Sequence, residues 1–303
     1  MSGAEELLTA QTQRLRGIDP LLPPAAPPPP GEVLTTGPVA GILVRSEYPL
    51  GSPARMWSAS HVCELVPLLG GAGFAGMNDL LAAWHVRLPG LGLPTADSAC
   101  VVSWPSRDVE CSRALLDHGF VPLSMIAVHT PIEPGVPSHP DGVRAADPAD
   151  LEDCVTLALA EQEYSAMVGS SVLRGDTEQI KRGLLAGRLQ RGEPIWVAER
   201  DGVVVGLAEC GYSDAAPGSW TASRLPAGRW GYVNCASVLP GARSRGVGGQ
   251  LVARVHASFA AAGAAGSYLY YNPPNPLSSV FWPKQGYRPL WTVWEARPAT
   301  TLR

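Results

Sequence analysis

The sequence has very little lysine, no excess of positive charge and no long apolar run. Of the 23 basic residues in this chain of 303, only Lys181 and Lys284 are lysine, which leaves 21 arginines. The net charge of −4 excludes the strongly basic surface of a protein that coats nucleic acid. No apolar run reaches the roughly 18–20 residues that cross a bilayer, and residues 1–16 lack a signal-peptide core. We therefore expect a cytoplasmic protein with neither a nucleic acid nor a membrane as its partner.

Cysteine and histidine give no sign of a metal site or a disulfide framework. The six cysteines are scattered along the chain, with no C-x-x-C pair and no histidine at metal-ligand spacing. Reduced, mostly buried thiols and no metal are therefore expected. Cys235 is expected to face away from Asn234 on a regular strand and to belong to the core.

The length allows one large domain or two ordinary ones. A short helix is predicted over residues 3–16, before a proline-rich run that forms an extended spacer or a wrapped arm. A second proline-rich break, at residues 130–140, follows an apolar strand. We therefore predict three parts: a helix and proline-rich arm over residues 1–31, a domain over residues 32–131 and a domain over residues 142–298.

Strands and helices alternate through the C-terminal part, as in an α/β protein. Asp147 and Pro148 mark the start of a helix that runs to about Tyr164, because aspartate caps a helix and proline fits its first turn. Two strand-like runs flank Asp201 and Gly202, which predicts a β-hairpin. The other predicted elements are a helix over 176–189, a strand over 232–238, a helix after the next glycines, a strand over 267–271, a short helix over 278–282 and a strand over 288–295.

A glycine-rich turn joins the strand that ends at Val238 to the helix that contains Leu251. The first amides of a helix point into such a turn and, with the helix dipole, form a site for a pyrophosphate. Arg243 and Arg245 add positive charge at the same place. On spacing alone, a pyrophosphate cradle and a plain turn with solvated arginines are equally favoured.

The residues around this turn carry a family resemblance. The pattern R-x-x-G-x-G at residues 243–248, after V-x-P at 238–240, resembles the acetyl-CoA signature of the Gcn5-related N-acetyltransferase (GNAT) superfamily. Asn275 and the run 281–287 resemble the closing helix and the glycine–aromatic corner of that family. The order of elements over about residues 142–298 is similar too. The resemblance implies an α/β fold with a mixed sheet, and acetyl-CoA as the acyl donor.

The N-terminal half repeats the same pattern. Residues 67–76 align with residues 240–249 and are followed by a helix, a strand, a helix capped by Ser106 and a glycine–aromatic corner at Gly119 and Phe120. We therefore predict a tandem GNAT fold whose first unit is degenerate.

The N-terminal turn lacks the arginines, because Gly70 and Ala72 stand in their places. A structural or homodimer-forming role is predicted for this unit. The same turn satisfies G-x-G-x-x-G from Gly71 to Gly76, with Asp97 about 20 residues further on, as in a dinucleotide-binding fingerprint. Asp97 precedes the next strand instead of following it, which favours the repeat over the dinucleotide site.

By position, the resemblance implies a set of contacts to acetyl-CoA. The turn holds the pyrophosphate, and residues of the following segments flank the pantetheine arm. Trp282 stands where the family has its general-acid tyrosine; because an indole donates hydrogen bonds without delivering a proton, Tyr271, Tyr232 and water stay open as the acid. The implied cofactor-binding residues are Val238, Leu239, Arg243, Ser244, Arg245, Gly246, Val247, Gly248, Gly249, Asn275, Ser278 and Trp282.

Four residues are candidates for catalysis. The amide of Val238 is the candidate that stabilises the oxyanion, as the resemblance implies for the splayed strand. Tyr232 and Asn234 lie on the face of that strand towards the expected cleft. Glu209 is a candidate base acting through water, and a solvated strand-edge carboxylate is equally favoured.

The resemblance implies an acetyl-CoA-dependent N-acetyltransferase in which a small-molecule amine attacks the thioester directly. Specialised, antibiotic metabolism of an actinobacterium is the expected setting. Three alternatives stay open: a non-catalytic CoA-binding or interaction protein, a mycothiol-synthase-like acetyltransferase, and a CoA-dependent enzyme of another reaction type. The acceptor pocket is expected near the loop 211–231, among the aromatic residues Tyr164, Trp196, Trp220, Trp230 and Tyr270.

Overall fold

Strands and helices alternate along both halves of the chain in a computed structural model, which describes residues 3–131 and 142–303. The predicted break at residues 130–140 lies largely outside the described residues. The N-terminal half consists of α1 (Gly3–Ile18), β1 (Glu32–Thr36), β2 (Val39–Glu47), β3 (His61–Leu68), α2 (Gly73–Arg87), β4 (Ser98–Pro105), α3 (Val109–Asp117) and β5 (Val121–His129). The C-terminal half consists of β6 (Val143–Ala145), α4 (Leu151–Met167), α5 (Thr177–Gln190), β7 (Ile195–Arg200), β8 (Val203–Asp214), β9 (Arg229–Val238), α6 (Val247–Ala261), β10 (Gly266–Tyr271), α7 (Ser278–Lys284) and β11 (Arg288–Ala296).

Local sequence rules explain most of these elements. Asp147 and Asp150 form a capping box in a short 3₁₀ turn that leads into α4, as predicted from the aspartate and the proline. Asp201 and Gly202 have φ angles of 52° and 75°, the left-handed values that a two-residue hairpin turn needs between β7 and β8. One predicted cap is wrong. The residue that caps α3 is Asp108, not Ser106, and its side chain accepts a hydrogen bond from the amide of Cys111 at 3.3 Å.

All eleven strands join one mixed sheet in the order β1-β2-β3-β4-β11-β5-β10-β9-β8-β7-β6. Each half contains one parallel pair, β3 with β4 and β9 with β10, and a glycine-rich turn and a helix follow the first strand of each pair. The predicted α/β class with a mixed sheet is confirmed.

The last strand of each half lies beside the other half's parallel pair. β11 lies between β4 and β5, and β5 in turn pairs with β10. The side chains follow the strands: Trp294 of β11 packs in the N-terminal core with Trp84, and Ala127 of β5 packs in the C-terminal core with Leu251. Each half therefore completes the core of the other.

The six cysteines are buried and unpaired, as predicted. Burial raises the pKa of each of these thiols, which makes them poor nucleophiles. Cys235 packs against α4 and α5 in the core, as expected. Within residues 3–131 and 142–303, none of the helices combines the length and the apolar composition that crossing a bilayer requires.

Candidate active site

β9 separates from its parallel neighbour β10 partway along its length. Parallel pairing between the two strands ends at Val233 and Leu269. The next residue, Asn234, is skipped in the antiparallel pairing with β8, where Val233 and Cys235 pair with consecutive residues. A β-bulge therefore lies at the point where the two strands diverge, and such bulges are common beside active sites.

Beyond the bulge, one edge of β9 keeps its backbone groups free of β10. The amide of Leu239 donates to the carbonyl of Val205 at 2.9 Å, which fixes the alternation of amides along this stretch. The amides of Ala236 and Val238 therefore point to the opposite edge, where parallel pairing has ended. Val238 thus lies where an oxyanion-stabilising amide is expected, and Ala236 offers a second amide nearer the bulge.

A groove of about 560 Å³ follows this free edge to the start of α6. Ser244 and Gly246 have φ angles of 61° and 84°, which turn the chain sharply into the helix. The first amides of α6 lack partners within the helix, so they are available to an anion at the groove. Six of the predicted cofactor residues at this end line the groove: Arg243, Ser244, Gly246, Val247, Gly248 and Gly249.

Arg243 lies at the groove, but two other predicted residues near the turn, Arg245 and Leu239, do not belong to the groove wall. Arg243 is exposed and donates from Nε to the carbonyl of Val238 at 2.9 Å, which holds its guanidinium beside the groove. Arg245 is exposed too but is not part of the groove wall. Leu239 packs against the core between β9 and α4. The roles predicted for Arg245 and Leu239 in holding acetyl-CoA stay predictions.

The far wall of the groove is formed by the start of α7, where Asn275, Ser278 and Trp282 all line the cavity. The Oδ1 atom of Asn275 accepts from the amides of Leu277 and Ser278 at 2.9 and 3.1 Å, so this side chain caps the helix. Trp282 is 7% exposed and packs edge-on against Tyr287. These residues shape the wall, and their contacts with pantetheine stay predictions.

Of the four predicted catalytic residues, two belong to the groove wall and two do not. Asn234 and Val238 line the groove. Tyr232 stacks on Tyr268 with ring centroids 4.8 Å apart, and burial raises the pKa of its hydroxyl. Glu209 is 4% exposed and accepts a hydrogen bond from Arg188, so its carboxylate is already engaged. Its predicted role as a base stays a prediction.

A carboxylate that the sequence analysis missed lies on the groove. Glu161 of α4 lines the cavity; its Oε1 atom accepts from Ser165 at 2.6 Å, and its buried Oε2 atom has no partner among the described residues. Burial raises the pKa of Glu161, and Lys181 opposes that shift. A carboxyl group with a raised pKa and a free oxygen is suited to take a proton near neutral pH.

The aromatic residues expected at the acceptor site separate into two groups. Tyr164 and Tyr270 line the groove, and Trp220 is 45% exposed and stacks on Tyr270 at 6.2 Å. Trp196 and Trp230 are buried in the core.

The corresponding site of the N-terminal half is filled by α1. The side chain of Gln11 donates to the carbonyl of Pro67 at 3.2 Å and accepts from the amide of Leu69 at 2.8 Å, at the end of β3. Arg14 lies beside Gly73, at the start of α2, and pairs with Asp108 at the start of α3. The dinucleotide alternative for this turn therefore has no open cavity in its favour.

Comparison with known proteins agrees with the geometry of the groove. Residues 191–289, which run from β7 to the start of β11, match the family model of the acetyltransferase (GNAT) domain. This segment of the chain is therefore similar to a GNAT domain. No curated protein shows a significant match to this chain.

Solved structures extend the similarity of the GNAT fold to most of the chain. A GCN5-related N-acetyltransferase from Sphaerobacter thermophilus is 15% identical over 86% of this chain and 78% of its own, with a TM-score of 0.53. A GNAT acetyltransferase from Colwellia psychrerythraea is 16% identical over 65% of this chain and 63% of its own, with a TM-score of 0.45. An aminoglycoside N-acetyltransferase in complex with CoA is 21% identical over 49% of this chain and 88% of its own, with a TM-score of 0.40.

The residues that line the groove suit CoA on structural grounds. Free helix amides, a glycine with a left-handed backbone and Arg243 meet at one end of the groove, which suits a pyrophosphate. In the described parts of the chain, no group of three or more His, Cys, Asp or Glu side chains could hold a metal ion.

Proposed function

We propose that the protein is an acetyl-CoA-dependent N-acetyltransferase that acts on a small-molecule amine. The observation that carries this proposal is the groove at the diverging strands, where the start of α6, free strand amides and Glu161, whose Oε2 atom has no partner among the described residues, line one cavity. Acetyl-CoA supplies an acetyl thioester, and the acceptor amine attacks its carbonyl carbon directly: a C–N bond forms, the C–S bond breaks, and CoA leaves as a thiolate that takes up a proton from water.

Arg243 and the first amides of α6 hold the pyrophosphate, and the wall formed by Asn275, Ser278 and Trp282 flanks the pantetheine arm. The amides of Ala236 and Val238 donate to the oxygen that gains negative charge. Glu161 takes the proton from the acceptor ammonium, which needs a base because the protonated amine has no lone pair.

The test of this assignment is turnover of a panel of primary amines with acetyl-CoA, followed by thiol release and by mass spectrometry of the N-acetyl product. Replacing Glu161 with glutamine keeps the shape of the side chain and removes the base, so kcat is expected to fall about 10²–10⁴-fold. The affinity for CoA should not change. The matched control is Glu163→Gln, an exposed carboxylate two residues away on the same helix.

The pH profile adds a second readout. Because burial raises the pKa of Glu161, the acid limb of kcat/KM should lie above the ordinary range of a glutamate and should disappear in Glu161→Gln. Full activity of this variant would contradict the assignment of the base. CoA binding without turnover of any amine would instead favour the non-catalytic alternative.

The same proposal assigns a role to each part of the chain. The arm (residues 1–31) and the N-terminal unit (residues 32–131) support the catalytic unit (residues 142–298), with β5 and β11 exchanged between the two units. The cytoplasmic location, the role in antibiotic metabolism and the actinobacterial source stay predictions, as does a homodimer.

A further inference from the structure

A second cavity lies beside the bulge and shares Asn234 with the groove. This side pocket has a volume of about 210 Å³ and lies between the chain segment after β2 and helix α5. Because each water occupies about 30 Å³ of liquid, the pocket has room for a small organic group of several heavy atoms. Its wall includes Met56 and Trp57 from the N-terminal half, and Lys181, Leu185, Glu209 and Asn234 from the C-terminal half.

Lys181 is a cation in the wall of this pocket without an ion-pair partner. The residue is 3% exposed, and its ammonium group lies 5.2 Å from the centre of the Trp57 ring, a cation–π contact. Among the residues that the structure describes, none forms a hydrogen bond or an ion pair with it. An ammonium group that lines a pocket without a carboxylate in contact is free to pair with an anion that enters the pocket.

The nearby carboxylates do not neutralise Lys181 directly. Glu209 is held by Arg188, which also donates to Glu193 at 2.7 Å and to the carbonyl of Cys210. Glu161 acts on Lys181 electrostatically but forms no ion pair with it. The pocket wall therefore carries one charge of each sign, and Arg188 engages the carboxylate of Glu209 whereas Lys181 has no carboxylate in direct contact.

The wall that carries Trp57 is hydrogen-bonded to α4 and to the segment between α4 and α5. The carbonyl of Met56 accepts from the side chain of Gln162 and from the amide of Val172, both at 2.9 Å. Arg174 donates to both carboxylate oxygens of Asp97, at 2.8 and 3.0 Å, and to the carbonyl of Arg55 at 2.9 Å. The side pocket is thus a preformed site to which both halves of the chain contribute.

We propose that the side pocket binds a carboxylate of the acceptor, so that the substrate is a small amine that carries a carboxylate group. The inference rests on the proposed function, because Asn234 joins the side pocket to the groove where the amine is acetylated. Lys181 is the residue that sets this specificity. One lysine matches one negative charge, so a carboxylate fits better than a phosphate dianion, and a polycationic amine is disfavoured.

The test uses ω-amino acids of increasing length, from glycine through β-alanine to 4-aminobutyrate, each paired with its carboxamide. For the length that spans from Asn234 to Lys181, kcat/KM of the acid should exceed that of the amide by about tenfold or more. Lys181→Met keeps the length of the side chain, removes the charge and should bring this ratio to about one. Arg182→Met is the matched control, because Arg182 is the exposed neighbour on α5 and pairs with Glu152 and Glu178.

Two further measurements separate the inference from the proposed function. Calorimetry with CoA-saturated protein should show that the N-acetyl acid binds about tenfold or more tightly than the N-acetyl amide, and that this preference requires Lys181. This preference without any turnover would support the pocket and overturn the catalytic proposal. Turnover with equal kcat/KM for acid and amide, or a ratio unchanged by Lys181→Met, would overturn the pocket alone.

Thermal unfolding of the ligand-free variant gives the remaining control. If Lys181 serves a ligand, Lys181→Met removes an unpaired buried charge and should leave Tm equal or higher. A clear fall in Tm would show that the lysine is a structural counter-ion, and would overturn the inference.

Discussion

The two halves of this chain build the same turn between a strand and a helix, but the C-terminal turn lines a large groove whereas α1 packs on the N-terminal turn. In the C-terminal half, β9 carries a bulge at Asn234, and a groove of about 560 Å³ runs from there to the start of α6. In the N-terminal half, β3 pairs with β2 without a break in register, and α1 covers the turn to α2. The difference lies in what occupies the free strand edge.

In the N-terminal half the chain itself satisfies the groups that a ligand would satisfy. Gln11 bonds to the carbonyl of Pro67 and to the amide of Leu69, and Arg14 brings a positive charge between the starts of α2 and α3. In the C-terminal half, Arg243, Gly246 and the first residues of α6 line the groove instead. A segment of the chain itself therefore covers the N-terminal turn, whereas the C-terminal turn faces a cavity.

The largest expected effect is on stability, at the anchor of α1. Asp108 is 3% exposed and accepts from Arg14 at 2.9 Å, from the indole of Trp104 at 2.8 Å and from the amide of Cys111 at 3.3 Å. Asp108→Ala leaves a half-buried guanidinium without its partner, so the free energy of unfolding should fall by about 3–5 kcal/mol. Urea denaturation measures this loss.

The matched change in the other half is Ser278→Ala, at the start of α7. The hydroxyl of Ser278 makes only long contacts, at 3.3 and 3.4 Å, to the carbonyls of Asn275 and Asn272. Removing this hydroxyl should lower the free energy of unfolding by less than about 1 kcal/mol. Equal losses from the two substitutions would show that the filled site contributes no more to stability than the open one.

The sequence alone predicted the strand–helix turn that lines the C-terminal groove but not the packing of α1 on the N-terminal turn. The glycines and Arg243 predicted the groove because backbone geometry at a strand–helix turn depends on local residues. Nothing local shows that α1 folds back onto β3, since the contact between Gln11 and Leu69 joins residues 58 positions apart. The sequence does not predict the exchange of β5 and β11 either, because both strands have the composition of ordinary apolar strands.

Two residues of the candidate site were missed for different reasons. Glu161 lies on a helix, where one carboxylate among several has no distinguishing pattern. The sequence did distinguish Lys181, because it is one of only two lysines in a chain with 21 arginines. Its burial and its contact with Trp57 of the other half depend on tertiary packing.

The next effect is on ligand affinity, and it sharpens the contrast between the two turns. We expect one CoA per chain, bound with about 10–100-fold lower affinity after Arg243→Ala, since a charge-assisted hydrogen bond contributes about 1.5–3 kcal/mol. Titration calorimetry gives both the affinity and the stoichiometry. The control is Arg113→Ala, on the exposed face of α3, where Arg113 pairs only with Asp117 at 3.7 Å. Two CoA molecules per chain would contradict the assignment of α1 as the occupant of the N-terminal site.

The smallest expected effect concerns the two glycine–aromatic corners. In the N-terminal half Phe120 packs on Trp84 at 5.9 Å, whereas in the C-terminal half the hydroxyl of Tyr287 bonds to His256 at 3.0 Å, and His256 stacks on His129 of β5 at 4.5 Å. Burial lowers the pKa of His256 to about 4 and also lowers that of His129. The C-terminal corner therefore packs on two buried histidines, whereas the ring pair Phe120–Trp84 contains no titratable group.

The stability of the fold decreases towards acid pH because the unfolded chain binds more protons than the folded chain. The unfolded chain protonates its histidines below about pH 6.5, whereas folding keeps His256 neutral down to about pH 4, so stability falls as the pH drops through this window. We expect the free energy of unfolding to fall by about 2 kcal/mol between pH 7 and pH 4, above the range in which the paired aspartates titrate.

His256→Gln keeps a partner for Tyr287 but does not titrate, so the free energy of unfolding, measured by urea denaturation across this range, should depend less on pH. His61→Gln, on β3, is the control. If His256→Gln keeps the full pH dependence, the acid sensitivity originates outside this corner.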